Sequence, residues 1–398
     1  MVQGPDRPRR PRDRGALHRP ARPAREQPRR EGSGGAADHP HRGRRRERRR
    51  ERDRRAAAPR ADDTAPRARS AGGRAVSLFS YAKPRALGEA LRLLKNGTIA
   101  IAGGTDLVGL IRSGLAKPEG LVDLTGIDGL RGWTREKGKG LRIGALTPLA
   151  DLETSPQLQK LAPMIAQSLR DAATPQLRNM GTVGGNLLQR NRCWYFRDEA
   201  VPCWLKGGTR CFAAEGENRY HAILGAAECV MVAPSDLAPA LIAYDAEIEI
   251  ASSIGRRTVK LGQLFVTPSG RQRKEHSIKK GELITSVRIS DAALERRGTF
   301  LKAMDRKAWS FALVSVAASA KIKDGKAHDV RVVLGGVAPV PWWVPAAHKQ
   351  LEGSALDDNS CLAAADLILA SAQPLRDNGY KVTLARELIR RALRSLVA

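Results

Sequence analysis

The chain has no run of roughly 18 apolar residues, so its sequence predicts no membrane-spanning helix. Aromatic side chains occupy only 4% of its 398 positions, few for a base-stacking nucleic-acid surface. No G-x-G-x-x-G is present, which excludes the Rossmann dinucleotide fingerprint. Cysteine is scarce: five residues in a chain this long do not make a disulfide scaffold. No two of them stand two to four residues apart, the usual spacing of structural zinc ligands. No internal repeat and no hydrolytic constellation are found. The Arg pairs near the N-terminus are followed by no apolar h-region, so no signal peptide is predicted.

What is abundant is positive charge, +28 in net. Residues 1–75 hold 24 Arg, no Lys and 10 acidic residues, and so carry +14, half of the total. This Arg/Pro-rich segment has almost no large apolar side chains to offset chain entropy, and it reads as a disordered tail. The basic residues of the remainder are scattered, which argues against a nucleic-acid partner.

Folded sequence is expected from Val76. Leu87, Ala90, Leu91 and Leu94 repeat at helical spacing up to Asn96-Gly97. A short apolar strand, Thr98–Ala102, runs into Gly103-Gly104-Thr105-Asp106 and a second helical pattern, Leu107 to Ile111. Strand, glycine turn and helix form a geometry that offers backbone N–H groups to a phosphate. Asp106 counts against a phosphate there unless it turns away to cap the helix. Leu121–Leu124 and Leu141–Ala145 read as strands and Leu158–Leu169 as a helix. Thr182-Val183-Gly184-Gly185-Asn186 is a second glycine turn, where backbone, Thr and Asn can meet a ligand.

Beyond this turn lie four of the five cysteines, Cys193, Cys203, Cys211 and Cys229, separated by 9, 7 and 17 residues. Four thiolates are the normal ligation of a [4Fe–4S] cluster, and these wide gaps favour iron–sulfur over zinc. Arg192, Arg197, Lys206, Arg210 and Arg219 would offset the cluster's negative charge. Trp194, Trp204 and Phe212 would shield it from water. His221 reads as a structural histidine or a further polar contact, and Cys361 as a packed thiol. Ser235 or Asp236 caps a helix through Leu241. Residues 246–251 alternate as a half-buried strand, and residues 264–280 form a polar, basic surface loop. Strands are predicted at Leu283–Ile289, Thr299–Lys302 and Val330–Val337, a helix or long apolar segment at Phe311–Ala320, and a hairpin turn at Asp324-Gly325. The last 50 residues are mostly helical.

From Val76 onward the chain resembles the FAD-binding medium subunits of molybdenum hydroxylases. The resemblance is carried by Ala100, Ile101, Ala102, Gly103, Gly104, Thr105, Asp106, Leu107 and Val108 as a first FAD loop. Thr182, Val183, Gly184, Gly185 and Asn186 form the second. Asp236, Ile284 and Lys302 match further flavin-site positions. The resemblance implies an α+β fold. A two-subdomain FAD domain would cover residues 76–295, with an insert at 187–233, and a smaller C-terminal domain residues 296–398.

The insert, 49 residues between Asn186 and Asp236, is similar to that of two [4Fe–4S]-binding branches, aldehyde oxidoreductases of the periplasm and 4-hydroxybenzoyl-CoA reductases. QRNRCWYFRDEAVPCW stands nearer to the first. The implied role is electron transfer, from a molybdenum large subunit and a [2Fe–2S] small subunit through this chain's FAD to an external acceptor. In the reductase alternative the electrons run the other way. The implied compartment is cytoplasm or periplasm, with export only in a complex whose partner carries the signal.

Overall fold

The computed structural model describes residues 79–398 apart from Asn96 and Ala308. The tail read at residues 1–75 and the expected start at Val76 lie outside the described residues.

Three sheets follow one another. β1 (Ser80–Ala82), β2 (Thr98–Ile101) and β3 (Gly120–Asp123) form a parallel sheet in the order β1-β3-β2. Parallel neighbours need crossovers, and the helices Leu87–Leu93 and Leu107–Arg112 supply them. Ala90, Val122, Leu124 and Leu130 are buried together beneath this layer.

The second sheet is antiparallel, ordered β4-β5-β8-β6-β7, from β4 (Trp133–Glu136), β5 (Gly140–Gly144), β6 (Glu247–Ser252), β7 (Gly255–Lys260) and β8 (Leu283–Ile289). The alternation read at residues 246–251 is real: Ile248 and Ile250 are buried while Glu247 and Glu249 are half-buried. Short helices between residues 149 and 170 and the helix Leu237–Ala243 close its apolar face. The single helix expected over 158–169 is two, Pro156–Leu161 and Pro163–Arg170. Pro163 has no N–H to continue the first helix and suits the first turn of the next.

β9 (Arg297–Ala303), β10 (Val314–Lys323) and β11 (Lys326–Gly335) form the third sheet, antiparallel with β10 in the middle. The apolar run at 311–320 is therefore largely strand. β10 packs against the helix Tyr380–Arg394 and also against the helix Leu237–Ala243. Burial on both faces erases the alternation that marks a half-buried strand. Asp324 and Gly325 both have positive φ, 51° and 72°, as a tight hairpin turn requires. The helices Asp358–Leu369 and Tyr380–Arg394 complete this α+β unit. Cys361 is buried there and its thiol donates to the Leu356 carbonyl at 3.3 Å.

The cysteine insert has two four-residue helices, Trp194–Arg197 and Phe212–Glu215, and one 3-10 turn, Trp204–Lys206. It keeps a small core of its own, in which Phe196, Trp204, Leu205 and Met231 pack with Cys203, Cys229 and Leu110. No helix among the described residues is long and apolar enough to cross a membrane.

Candidate cofactor cleft and cysteine cavity

Between the first two sheets runs a cleft of about 390 Å³. The first glycine loop lines one wall from Ala100 through Leu107; Thr182, Gly184, Gly185 and Ile284 stand on the other side. Val108 does not border it and is 46% exposed. Val183 is buried in the core. The cleft shares Thr105, Asp106, Gly185 and Gln189 with a smaller cavity that adds Asn186 and Asp236. That cavity in turn shares Arg192, Asp236, Trp309 and Phe311 with a third, of about 630 Å³.

The two glycine loops differ in kind. In the first, the N–H groups of Gly104, Thr105 and Asp106 have no acceptor among the described residues. Gly104 has φ +70°, a conformation open to glycine. These groups are free for a phosphate. In the second, the N-terminal N–H groups of the helix Val183–Leu187 are taken. Val183 N donates to Thr147 O, Gly184 N to Ala145 O and Gly185 N to the Thr182 hydroxyl. Of the two loops, only the first leaves its turn N–H groups without acceptors among the described residues.

Packing explains two of the glycines. A Cβ at Gly103 would overlap the Met180 carbonyl, and one at Gly184 would press on Ala145 at 3.2 Å.

The Asp106 carboxylate makes no cap bond. It accepts from Arg192 at 2.7 Å, Arg197 at 2.8 Å and the Arg190 N–H at 2.8 Å. Burial pushes its carboxyl up, yet these partners outweigh burial and hold it below the usual range. The first loop is thus bolted to the cysteine insert.

Ser235 rather than Asp236 caps the helix Leu237–Ala243. Its hydroxyl accepts from Ala238 N and donates to Asn186 Oδ1 at 2.6 Å, tying the second loop to that helix. Lys302 does not line the cavities; its Nζ reaches Asp236 Oδ2 and the Asp171 carbonyl, both at 2.8 Å. Asp236 nonetheless sits above its ordinary value, because burial and Asp171 oppose Lys302. Lys302 is thus held by Asp236 and the Asp171 carbonyl and borders none of these cavities.

All four predicted cysteines border one further cavity, walled by Phe196, Trp204, Leu205, Phe212 and Met231. All four are free thiols. Cys211 and Cys229 are hydrogen-bonded to each other, which draws Cys211 down to about 6 and pushes Cys229 up. Burial pushes Cys193 up to about 11. The donor set, four sulfurs in an apolar shell, fits a [4Fe–4S] cluster. No group of three or more His, Cys, Asp or Glu among the described residues is drawn together as for one metal ion.

Several expected neighbours do not face this cavity. Trp194 is 37% exposed and borders the 630 Å³ cavity instead. Arg192 and Arg197 pair with Asp106, Lys206 bonds the Asp198 carbonyl, Arg210 lies over the Phe212 ring and Arg219 pairs with Asp305.

Two residues escaped the sequence reading. Glu275, in the stretch read as a surface loop, is 4% exposed and holds Arg190 and Asn191. Asn191 Oδ1 in turn accepts from the Cys193 N–H. Nothing local in a run of basic residues marks one buried acid. Next to it, burial draws His276 down to about 4.

Comparison with known proteins fits this geometry. Residues 77–290 match the FAD binding domain in molybdopterin dehydrogenase, and residues 299–396 the CO dehydrogenase flavoprotein C-terminal domain. The aldehyde oxidoreductase FAD-binding subunit PaoB of Escherichia coli is 37% identical over 74% of this chain and 89% of its own length. The carbon monoxide dehydrogenase medium chain of Hydrogenophaga pseudoflava is 28% identical over 79% of this chain and 96% of its own. The solved structure of carbon monoxide dehydrogenase from the same organism superposes with a TM-score of 0.63 at 25% identity, covering 80% of this chain and 96% of that one. The chain therefore belongs to the FAD-binding medium subunits of the molybdenum hydroxylases, a family of oxidoreductases.

Proposed function

We propose that this chain is the electron-transfer subunit of an aldehyde oxidoreductase-type molybdenum enzyme and carries both FAD and a [4Fe–4S] cluster. When bound, these groups would supply the redox steps between partner iron–sulfur centres and an external acceptor. The partners are a molybdenum large subunit and a [2Fe–2S] small subunit, as expected of a medium subunit. The aldehyde class is favoured by the similarity to PaoB, 37% against 28% for the carbon monoxide enzyme's chain.

The observation that carries the cluster assignment is the convergence of Cys193, Cys203, Cys211 and Cys229 on one apolar cavity from four separate points of the insert. A zinc ion holds each thiolate about 2.3 Å away and so gathers its ligands tightly; a cluster of several atoms spreads them. This chain's residues do the rest. Gly104, Thr105 and Asp106 present N–H groups to the pyrophosphate. Asn186 and Asp236 border the adjoining cavity, where they can hydrogen-bond the flavin. Phe196, Trp204 and Met231 keep water from the sulfurs.

Anaerobically purified protein should contain one FAD, released by acid, and about four iron and four acid-labile sulfide atoms per chain. Cys203→Ser should lose most of the iron and keep its FAD. Stoichiometric zinc without iron would sink the cluster and leave the flavoprotein assignment standing.

A further inference from the structure

His221 stands in the wall between two cavities. Its Nε2 is 3.2 Å from the sulfur of Cys193. The same two residues border both the cysteine cavity and the 630 Å³ cavity that reaches Asp236. The ring is 3% exposed, and Nδ1 has no partner among the described residues.

Its placement is fixed from several sides. The His221 N–H donates to Asn218 O at 2.9 Å. Its carbonyl accepts from Lys381 at 3.0 Å and from Asn378 at 3.2 Å, both in the C-terminal unit. Trp194 meets the ring edge-on, 5.7 Å between centroids at 77°. Such support holds a donor at one sulfur to within a narrow range.

We propose that His221 is a positioning residue that donates its Nε2–H to the Cys193 thiolate and thereby raises the reduction potential of the cluster. The inference rests on the cluster reading given above. A ligating thiolate has no proton and can only accept, so the proton belongs on Nε2 and Nδ1 is left as a bare acceptor. This tautomer is neutral. The donated N–H draws electron density from the sulfur, and the reduced cluster, one electron more negative, gains more from it than the oxidised one. One electron enters and no proton moves. Of the described histidines, only His221 borders the cysteine cavity.

The test uses the intact complex. His221→Leu removes the donor, and His221→Gln keeps an N–H at similar reach. In redox titrations followed by electron paramagnetic resonance, the Leu variant should titrate at a more negative potential with full iron. The Gln variant should lie between it and the unaltered protein. An unchanged potential in the iron-replete Leu variant overturns the proposal.

Should that variant fail to assemble, the unaltered protein still decides. With 15N-labelled histidine, the reduced cluster should show coupling to one histidine nitrogen and to one proton that exchanges in heavy water. Absence of both couplings rejects the hydrogen bond. Absence of iron from the unaltered protein removes the cluster reading itself, a separate failure seen by metal analysis alone.

Discussion

In the cleft between the first two sheets, main chain meets main chain. The first loop lies so close to Met180 that only glycine fits at residue 103, and the second is closed by backbone bonds to Thr147 and Ala145. In the cysteine insert almost nothing is regular. Its segments are fastened by side chains: Asp106 to two arginines, Glu275 to Arg190 and Asn191, Lys381 to three carbonyls, and sulfur to sulfur. A cleft of backbone contacts keeps its shape whatever the charges around it. An insert of ionic and sulfur fastenings depends on protonation and on what the sulfurs bind. Steric substitutions should therefore break the first, and changes of charge the second.

The largest effect is expected at Gly103. Gly103→Ala places a methyl on the Met180 carbonyl, which cannot retreat because Gly181 N is held by Leu177 O and Gly181 O by Leu149 N. Overlap with backbone belongs to the severe class of substitutions, about 4–5 kcal/mol or more. The variant should lose FAD and much of its soluble yield. Gly185→Ala meets only the Thr182 hydroxyl, at 3.1 Å, and should retain FAD. Equal flavin content in the two variants would contradict this account of the cleft.

A charge effect should follow at Lys381, which is fully buried with no carboxylate partner among the described residues and donates to Tyr220 O, His221 O and Gly336 O at 2.7–3.0 Å. Burial draws it down to about 7. Between pH 7 and the ordinary lysine value of 10.5 the unfolded chain binds the proton and the folded chain does not, so this group's contribution to stability rises with pH. At 1.36 kcal/mol for each pH unit of the shift, the rise amounts to about 5 kcal/mol at most. Lys381→Met should flatten the stability–pH curve over that window, as read by denaturant titrations at pH 7, 8.5 and 10. Parallel curves for variant and parent would show that the ammonium stays charged throughout.

Much of this division was legible in the sequence, though unevenly. Both glycine motifs, the α+β class and the four cysteines could be read because each is local: a turn, a period, a residue type. The difference between the two loops was not, because it depends on Thr147 and Ala145, far off in the chain, having already taken the N–H groups. β10 lost its alternation to burial on both faces. Glu275 and Asp106 looked like a surface charge and a helix cap; their partners lie 84 to 91 residues away in sequence. His221 was a lone histidine until the fold set it beside Cys193.

Asp106 is where the two kinds of construction meet, so Asp106→Asn tests the division most finely. The amide keeps one acceptor oxygen but loses the charge facing Arg192 and Arg197, whose side chains are 27% and 23% exposed against 17% for the acid. A half-buried, charge-assisted cluster of this kind is worth about 2 kcal/mol. The backbone of Gly104 and Thr105 is untouched, so FAD content should hold while residues 190–197 become easier to cleave in limited proteolysis. The pH dependence has a definite sign. The folded-state value lies below the ordinary 3.8, so the contribution is complete above 3.8 and is lost only as pH falls below it. The stability gap between parent and Asp106→Asn should therefore be constant from pH 8 down to pH 5. A gap that closes within that range would mean that Asp106 is not held ionised by the two arginines. Loss of FAD in the variant would mean that the cleft, too, depends on this charge.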